Sequence, residues 1–235
     1  MFVISCEHAS NDVPEGVVLD VGRDVLASHV AWDPGAAEIA RAVATALDLT
    51  PILGTATRLY VDLNRSEHGP SVIPAVAFGT PVPGNTTLTV ADRDARLRHH
   101  RAYRGAVTDA VRATLAQHGR CVHLSIHSFT PVMNGEARDF DCGVLYDPAS
   151  PADCVVADAL VNALSAAGLA TRRNEPYGGT GDGLTTTLRD TFGCERYAGV
   201  EVETSHRVTD QEHGCARVAA AVLTAACDAR IGRTS

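Results

Sequence analysis

Four short clusters of polar residues stand where apolar runs end, and their side chains are of the kinds that bind metals and move protons. Cys6-Glu7-His8 follows the apolar run from Phe2 to Ser5. His29 and Asp33 precede an amphipathic stretch, His123-Leu124-Ser125-Ile126-His127 closes a central run, and Glu201-Val202-Glu203 closes a late one. Side chains alternate along a strand, so His123, Ser125 and His127 share a face, as do Glu201 and Glu203. Two strand-end histidines with carboxylates match the donor set of an open catalytic zinc site, and a further carboxylate could act as general base toward activated water. Plainer roles exist for each. Asp33 suits a helix N-cap, and Glu201 and Glu203 could pair with arginines. No HExxH segment occurs.

A fifth stretch, Arg58-Leu59-Tyr60-Val61-Asp62-Leu63-Asn64-Arg65, sets an arginine beside an asparagine at a strand end. A guanidinium fork in that place is suited to a bidentate grip on a carboxylate. A surface Arg65–Asp62 pair is its structural alternative.

Other chemistries are disfavoured. All 20 basic residues are arginine, which excludes a Schiff-base lysine and a P-loop lysine. The glycine-rich segment 178–183 does not follow a clear strand and reads as a loop over the site, not a phosphate cradle. Cys6 lies close to His8 but reads as a small buried residue, and neither Ser125 nor Ser128 sits in a G-x-S-x-G elbow. A net charge of −8 gives no basic footprint for nucleic acid. Seven cysteines without a CxxC argue against a disulfide framework and for a reducing compartment. The N-terminus has no basic leader region, and no run approaches the ~20 apolar residues of a membrane span. The expectation is a soluble cytoplasmic protein, with no nucleic-acid or membrane partner.

These residues need a scaffold. With 235 residues, 45% of them hydrophobic, the chain can build one sizeable core, and a single domain over 1–235 is expected. Strands are expected at 2–5, 50–53, 58–63, 121–129, 141–146, 170–173 and 199–203. Helices are expected from Asp33-Pro34-Gly35 onward, at 92–117, at 151–167 and at 209–228. Residues 66–90 read as a long surface loop, and residues 174–190 are glycine-rich. Ala36, Ile39, Ala40, Val43 and Leu47 form one apolar stripe, Val107, Val111 and Leu115 a second, and Val155, Val156, Leu160 and Leu164 a third. Alternating strands and amphipathic helices predict an α/β protein: a three-layer α/β/α domain around a mixed, mostly parallel sheet. Ligands of such sheets collect where strands end, which is where the polar clusters lie.

Six segments, SCEHASNDVP, HVAWDPGA, RLYVDLNR, SIHSFTP, NEPYGGTGDGLTTTL and VEVETSHRV, occur in an order that resembles the N-formylglutamate amidohydrolase family, over residues 3 to about 208. More distantly, the family is similar to zinc carboxypeptidases and aspartoacylase-like deacylases, which implies a zinc-exopeptidase-like fold and one zinc ion per chain. By this resemblance LSIHSF carries a zinc ligand at His127, and VDLNR carries the pair that holds the substrate carboxylate, Asn64 and Arg65. Arg58 falls near an oxyanion-stabilising arginine. Glu203 takes the place of the catalytic glutamate, with Glu201 in reserve. The carboxypeptidase HxxE pattern is missing, because Asn11 stands three residues after His8. His8 is kept as a ligand, and the remaining protein ligand is Glu7, Asp33 or His29. The implied activity is hydrolysis of the N-acyl amide of an acidic or related amino acid such as N-formylglutamate. A zinc carboxypeptidase on short peptides and a non-catalytic metal- or ligand-binding protein of the same fold are the alternatives.

Overall fold

The computed structural model describes residues 1–228. Residues 229–235, the end of the expected domain, lie outside the described residues. The chain runs β1 (Phe2–Cys6), α1 (Arg23–Ala27), α2 (Ala36–Ala46), β2 (Ile52–Leu53), β3 (Val76–Ala77), β4 (Thr80–Pro81), α3 (Val90–His118), β5 (Cys121–Phe129), β6 (Val132–Met133), β7 (Glu136–Ala137) and β8 (Cys142–Leu145). It continues with α4 (Pro151–Ala166), β9 (Thr171–Arg173), α5 (Leu184–Phe192), β10 (Tyr197–Ser205), α6 (His206–Thr209) and α7 (Gly214–Ala226). Six strands form one sheet in the order β2-β1-β5-β10-β8-β9. Only the β10–β8 pairing is antiparallel, so the sheet is mixed and mostly parallel, as the pattern predicts.

Strand periodicity sorts the side chains between two cores. Ile4, Cys6, Leu124, Ile126, Val200 and Val202 point to one face, where α2, α4 and α7 cover them through Ile39, Val43, Val156, Leu160, Val218 and Val222. The opposite face holds Val3, Cys121 and Tyr197 under α3 and α5, with Val107, Val111, Leu115, Leu184 and Leu188. On that second face the alternation also sets Ser5, His123, Ser125, His127, Glu201 and Glu203. The two longest helices start where local side chains supply their orphan amides with acceptors. Thr89 and Asp92 form a reciprocal capping box on α3, and Ser150 caps α4 with Pro151 in its first turn.

The structure corrects or refines the expected elements at four places. Residues 58–63 form turns, not a strand, although Leu59, Val61 and Leu63 are buried. Residues 174–190 contain the start of α5, hidden by its glycines and threonines. The helix expected over 209–228 is α7 alone and starts only at Gly214, after an N-cap at His213 in the left-handed region (φ 63°); the short α6 precedes it. The long loop 66–90 is pinned down by the buried Val72, Ile73 and Val82 and carries the β3–β4 hairpin.

Candidate metal centre

The site lies at the carboxyl ends of β1, β5 and β10. Parallel register places Glu203 of β10 directly beside His127 of β5, and Glu201 beside Ser125. His8 follows β1. Asp33 comes from the loop before α2, which folds back over the sheet through an Asp33 N–H bond to the His8 carbonyl (3.0 Å). Asp33 is therefore not the N-cap. That position is Gly35, in the left-handed region (φ 81°), and the Asp33 carboxylate is free to turn into the site.

Three donor atoms converge there. Asp33 Oδ2 lies 2.8 Å from His127 Nδ1 and 3.4 Å from His8 Nδ1. His8, Asp33 and His127 are all buried and form a group able to hold a metal ion. His8 Nδ1 is buried without a hydrogen-bond partner, an orphaned lone pair aimed at this space. Two imidazoles and a carboxylate fit the donor set of a catalytic zinc site with an open position.

Each imidazole has a carboxylate on its far nitrogen. Asp62 Oδ1 lies 2.8 Å from His8 Nε2, and Glu7 Oε2 lies 2.9 Å from His127 Nε2. Such contacts fix ring orientation and raise ligand basicity. Glu7, expected among the possible ligands, is thus outside the convergent group: as the next residue along the strand it faces away from His8, under α3. It also accepts from Tyr103 Oη (2.9 Å) and, closely, from Ser125 Oγ. His29 lines the pocket beside Phe78 but is not in the group.

The electrostatics follow from burial and these partners. Burial would raise the Glu7 carboxyl, but the hydrogen bond and charge of His127, aided by His123 and Ser125, hold it well below the usual carboxylate range. Asp62 is likewise buried, yet its pairing with His8 and the nearby Arg65 and Arg58 keep it low. Burial, with Arg58 nearby, takes His8 down to about 4. Burial opposes charge on His127, but Glu7 overrides it and lifts His127 to about 9. Burial also raises Glu203, with Glu201 adding to the effect and His127 and Arg58 opposing it. Glu203 is 4% exposed and its Oε2 has no hydrogen-bond partner. Arg58 forms a close ion pair with Asp33 Oδ1.

Asn64 and Arg65 lie across the same pocket. Asn64 Oδ1 accepts from the first amide of α5, Leu184 N–H, at 2.7 Å. Arg65 Nη1 donates to the carbonyls of Asn64 (3.0 Å) and Asp182 (2.9 Å). The alternative reading, an Arg65–Asp62 surface pair, is not formed, because the Asp62 carboxylate serves His8. The pocket encloses about 420 Å³, within the roughly 300–1,000 Å³ of small-molecule sites. It contains every site residue expected from the sequence except Glu7. Cys6 is buried on the other face, its thiol raised by burial and Glu7, which removes the thiol-nucleophile reading. His123 is a core residue, bonded to Ser5 (2.8 Å) and Tyr197 (2.7 Å).

A family model for N-formylglutamate amidohydrolase matches residues 1–209. The chain belongs to the N-formylglutamate amidohydrolase family. A solved gene product of Agrobacterium tumefaciens is 33% identical, with 99% of this chain and 92% of that one covered and a TM-score of 0.85. The crystal structure of N-formylglutamate amidohydrolase from Ralstonia eutropha shares the fold: TM-score 0.70, 20% identity, covering 95% of this chain and 90% of that one. No curated protein matches the sequence. Family membership implies a small-molecule amide as substrate. No helix among the described residues is long and apolar enough to cross a membrane.

Sequence reading missed two members of the site. Asp62 was visible in RLYVDLNR but was assigned only as a partner for Arg65. Tyr103 occupies the same four-residue stripe as Val107, Val111 and Leu115, where its hydroxyl was the one polar signal.

Proposed function

We propose that this protein is a metal-dependent amidohydrolase of N-acyl amino acids. The observation that carries the reading is the convergence of His8 Nδ1, His127 Nδ1 and Asp33 Oδ2, each imidazole backed by a buried carboxylate, with Glu203 in register beside His127. His8, Asp33 and His127 would hold one Zn²⁺. Zinc in such a site supplies Lewis acidity, drawing the pKa of water toward ~7 and polarising a carbonyl.

The chain's own residues account for the remaining steps. Arg65, with Asn64, binds the substrate carboxylate and so brings the amide to the pocket floor. Glu203 accepts the proton of the attacking water at its partnerless Oε2 and returns it to the departing amine nitrogen. Burial favours this role, since a carboxylate raised toward neutrality exchanges protons more readily near working pH. The Arg58 guanidinium, held beside the site by Asp33, stabilises negative charge developing on the carbonyl oxygen. The products are a short acid and a free amino acid. The family's namesake substrate is N-formylglutamate; cytoplasmic location and a role in amino-acid metabolism belong to this same reading.

Elemental mass spectrometry tests the site directly. About one zinc per wild-type chain is expected, with loss in His127→Ala. Glu203→Gln retains the metal and loses 10²- to 10⁴-fold in kcat on an N-acyl amino acid. A zinc-supplied wild type that binds no metal would sink the reading.

A further inference from the structure

The mouth of the pocket is built by two miniature hairpins of the same design. In β3–β4 the turn residues Phe78 and Gly79 both have positive φ (49° and 80°). In β6–β7 the turn residues are Asn134 and Gly135 (53° and 81°). Two central residues with positive φ define a turn that favours Asn-Gly, and the second hairpin has that pair. The first has phenylalanine where a bulky side chain is sterically disfavoured. Turn stability therefore does not explain Phe78. Its side chain does have a place: it lines the pocket, stacked 5.5 Å from the Arg58 guanidinium and 5.7 Å from the His29 ring. Strain at a site wall points from geometry to function.

A further apolar wall of the pocket is formed by Phe129, Met133, Leu145 and Tyr177. The charges around it are mostly negative. The pocket is lined by Asp33, Asp182, Glu201 and Glu203 against two arginines. Arg58 is already paired with Asp33, whereas Arg65 donates only to backbone carbonyls. One lining cation is thus left for one carboxylate. A third arginine, Arg138, stands behind the wall. It is held by Tyr177 Oη (3.3 Å), Met133 Sδ (3.1 Å) and the Thr130 carbonyl (3.5 Å), and sits over the Tyr177 and Phe129 rings.

We infer that the pocket takes N-acyl amino acids with a single carboxylate and an apolar group, seated against the apolar lining of Phe78, Met133 and Tyr177, in preference to dicarboxylates. This rests on the amidohydrolase reading and narrows its substrate class. A second carboxylate would share the pocket with Asp182, Glu201 and Glu203 and find no further lining arginine. An apolar side chain would instead displace water from aromatic and thioether surface.

The test is a panel assayed with the zinc-loaded full chain: N-formyl-glycine, N-formyl-leucine, N-formyl-phenylalanine, N-formyl-glutamate and N-hexanoyl-glycine. Leucine or phenylalanine is expected to exceed glutamate at least tenfold in kcat/KM, the scale of discrimination available to a hydrophobic pocket. N-hexanoyl-glycine as the best substrate would place the apolar group on the acyl side and supports the same subsite. Phe78→Asn gives the turn its preferred residue and removes the ring. It should lower the leucine-to-glycine ratio about fivefold or more while thermal stability holds or rises. An unchanged ratio overturns the inference, as does a preference for N-formyl-glutamate, which would assign Arg138 to the second carboxylate. Either result leaves the amidohydrolase reading intact. Failure to turn over any of the five by metal-loaded protein would overturn both.

Discussion

At the scale of residues, the two histidines of the site are alike in their attachments. Each directs Nδ1 inward and gives Nε2 to a buried carboxylate, Asp62 or Glu7. Glu7 is in turn held by Tyr103, whose phenol stays protonated because burial and the Glu7 charge raise it well above its ordinary value. A chain of this kind predicts effects on metal binding from residues that touch no metal. On the proposed zinc reading, Glu7→Gln should weaken metal binding by roughly 10- to 100-fold, the usual range for an orienting partner. Tyr103→Phe should weaken it less, since Ser125 still donates to Glu7. Competition titration against a chromophoric chelator reads both, and unchanged affinity in Glu7→Gln would remove the orienting role. The family resemblance of their segments singles out His8, His127, Asn64, Arg65 and Glu203, and the fold gathers all five around one pocket. The choice among Glu7, Asp33 and His29 could not be made from the sequence. It depends on how the loop before α2 folds back, which is a matter of tertiary hydrogen bonding.

At the scale of elements, period-2 alternation in β1, β5 and β10 separates a greasy face from a polar one, and the helices follow their apolar stripes. This part of the fold was legible: β5 was placed at its observed bounds, and α3 and α4 nearly so. What was not legible lacked periodicity. The 58–63 segment resembles a strand because Leu59, Val61 and Leu63 alternate, yet it is held as turns by α3. Arg96 donates to the Tyr60 carbonyl (2.9 Å), and Arg104 to those of Leu63 (3.2 Å) and Arg65 (3.1 Å). Helix α5 begins at a glycine with no side-chain cap of its own and takes its acceptor from Asn64, 120 residues earlier. A packing prediction belongs here. Leu160 of α4 is 1% exposed in the core beneath the sheet, and Leu160→Ala should cost about 2–5 kcal/mol in urea unfolding. A loss below about 1 kcal/mol would mean that α4 packs more loosely than described.

At the scale of the whole molecule, buried histidines couple stability to pH. Burial brings His123 and His206 each down to about 4 in the folded protein. The unfolded chain holds them near the ordinary value of about 6.5. Between those values the unfolded state binds more protons, so stability rises with pH there. Their contribution is complete above about pH 6.5 and is lost as pH falls toward 4. Glu203, raised in the folded state, works in the opposite sense and partly offsets the loss. Urea midpoints at pH 7, 5.5 and 4.5 should therefore fall, and His123→Gln should flatten that slope whatever it does to stability at pH 7. Equal slopes in the two proteins would exclude His123 as a contributor.

The site is also assembled from distant parts of the chain. His127 reaches Asp33 across 94 positions, Ser125 reaches Glu7 across 118, and Leu184 reaches Asn64 across 120. Closing loops of that length is slow, because their entropy must be lost before the contacts they permit are gained. No short piece of this protein can hold all three donor atoms. Uptake of the metal proposed for this site would then be a late event in refolding, and its time course would serve as a clock for the arrival of the native sheet.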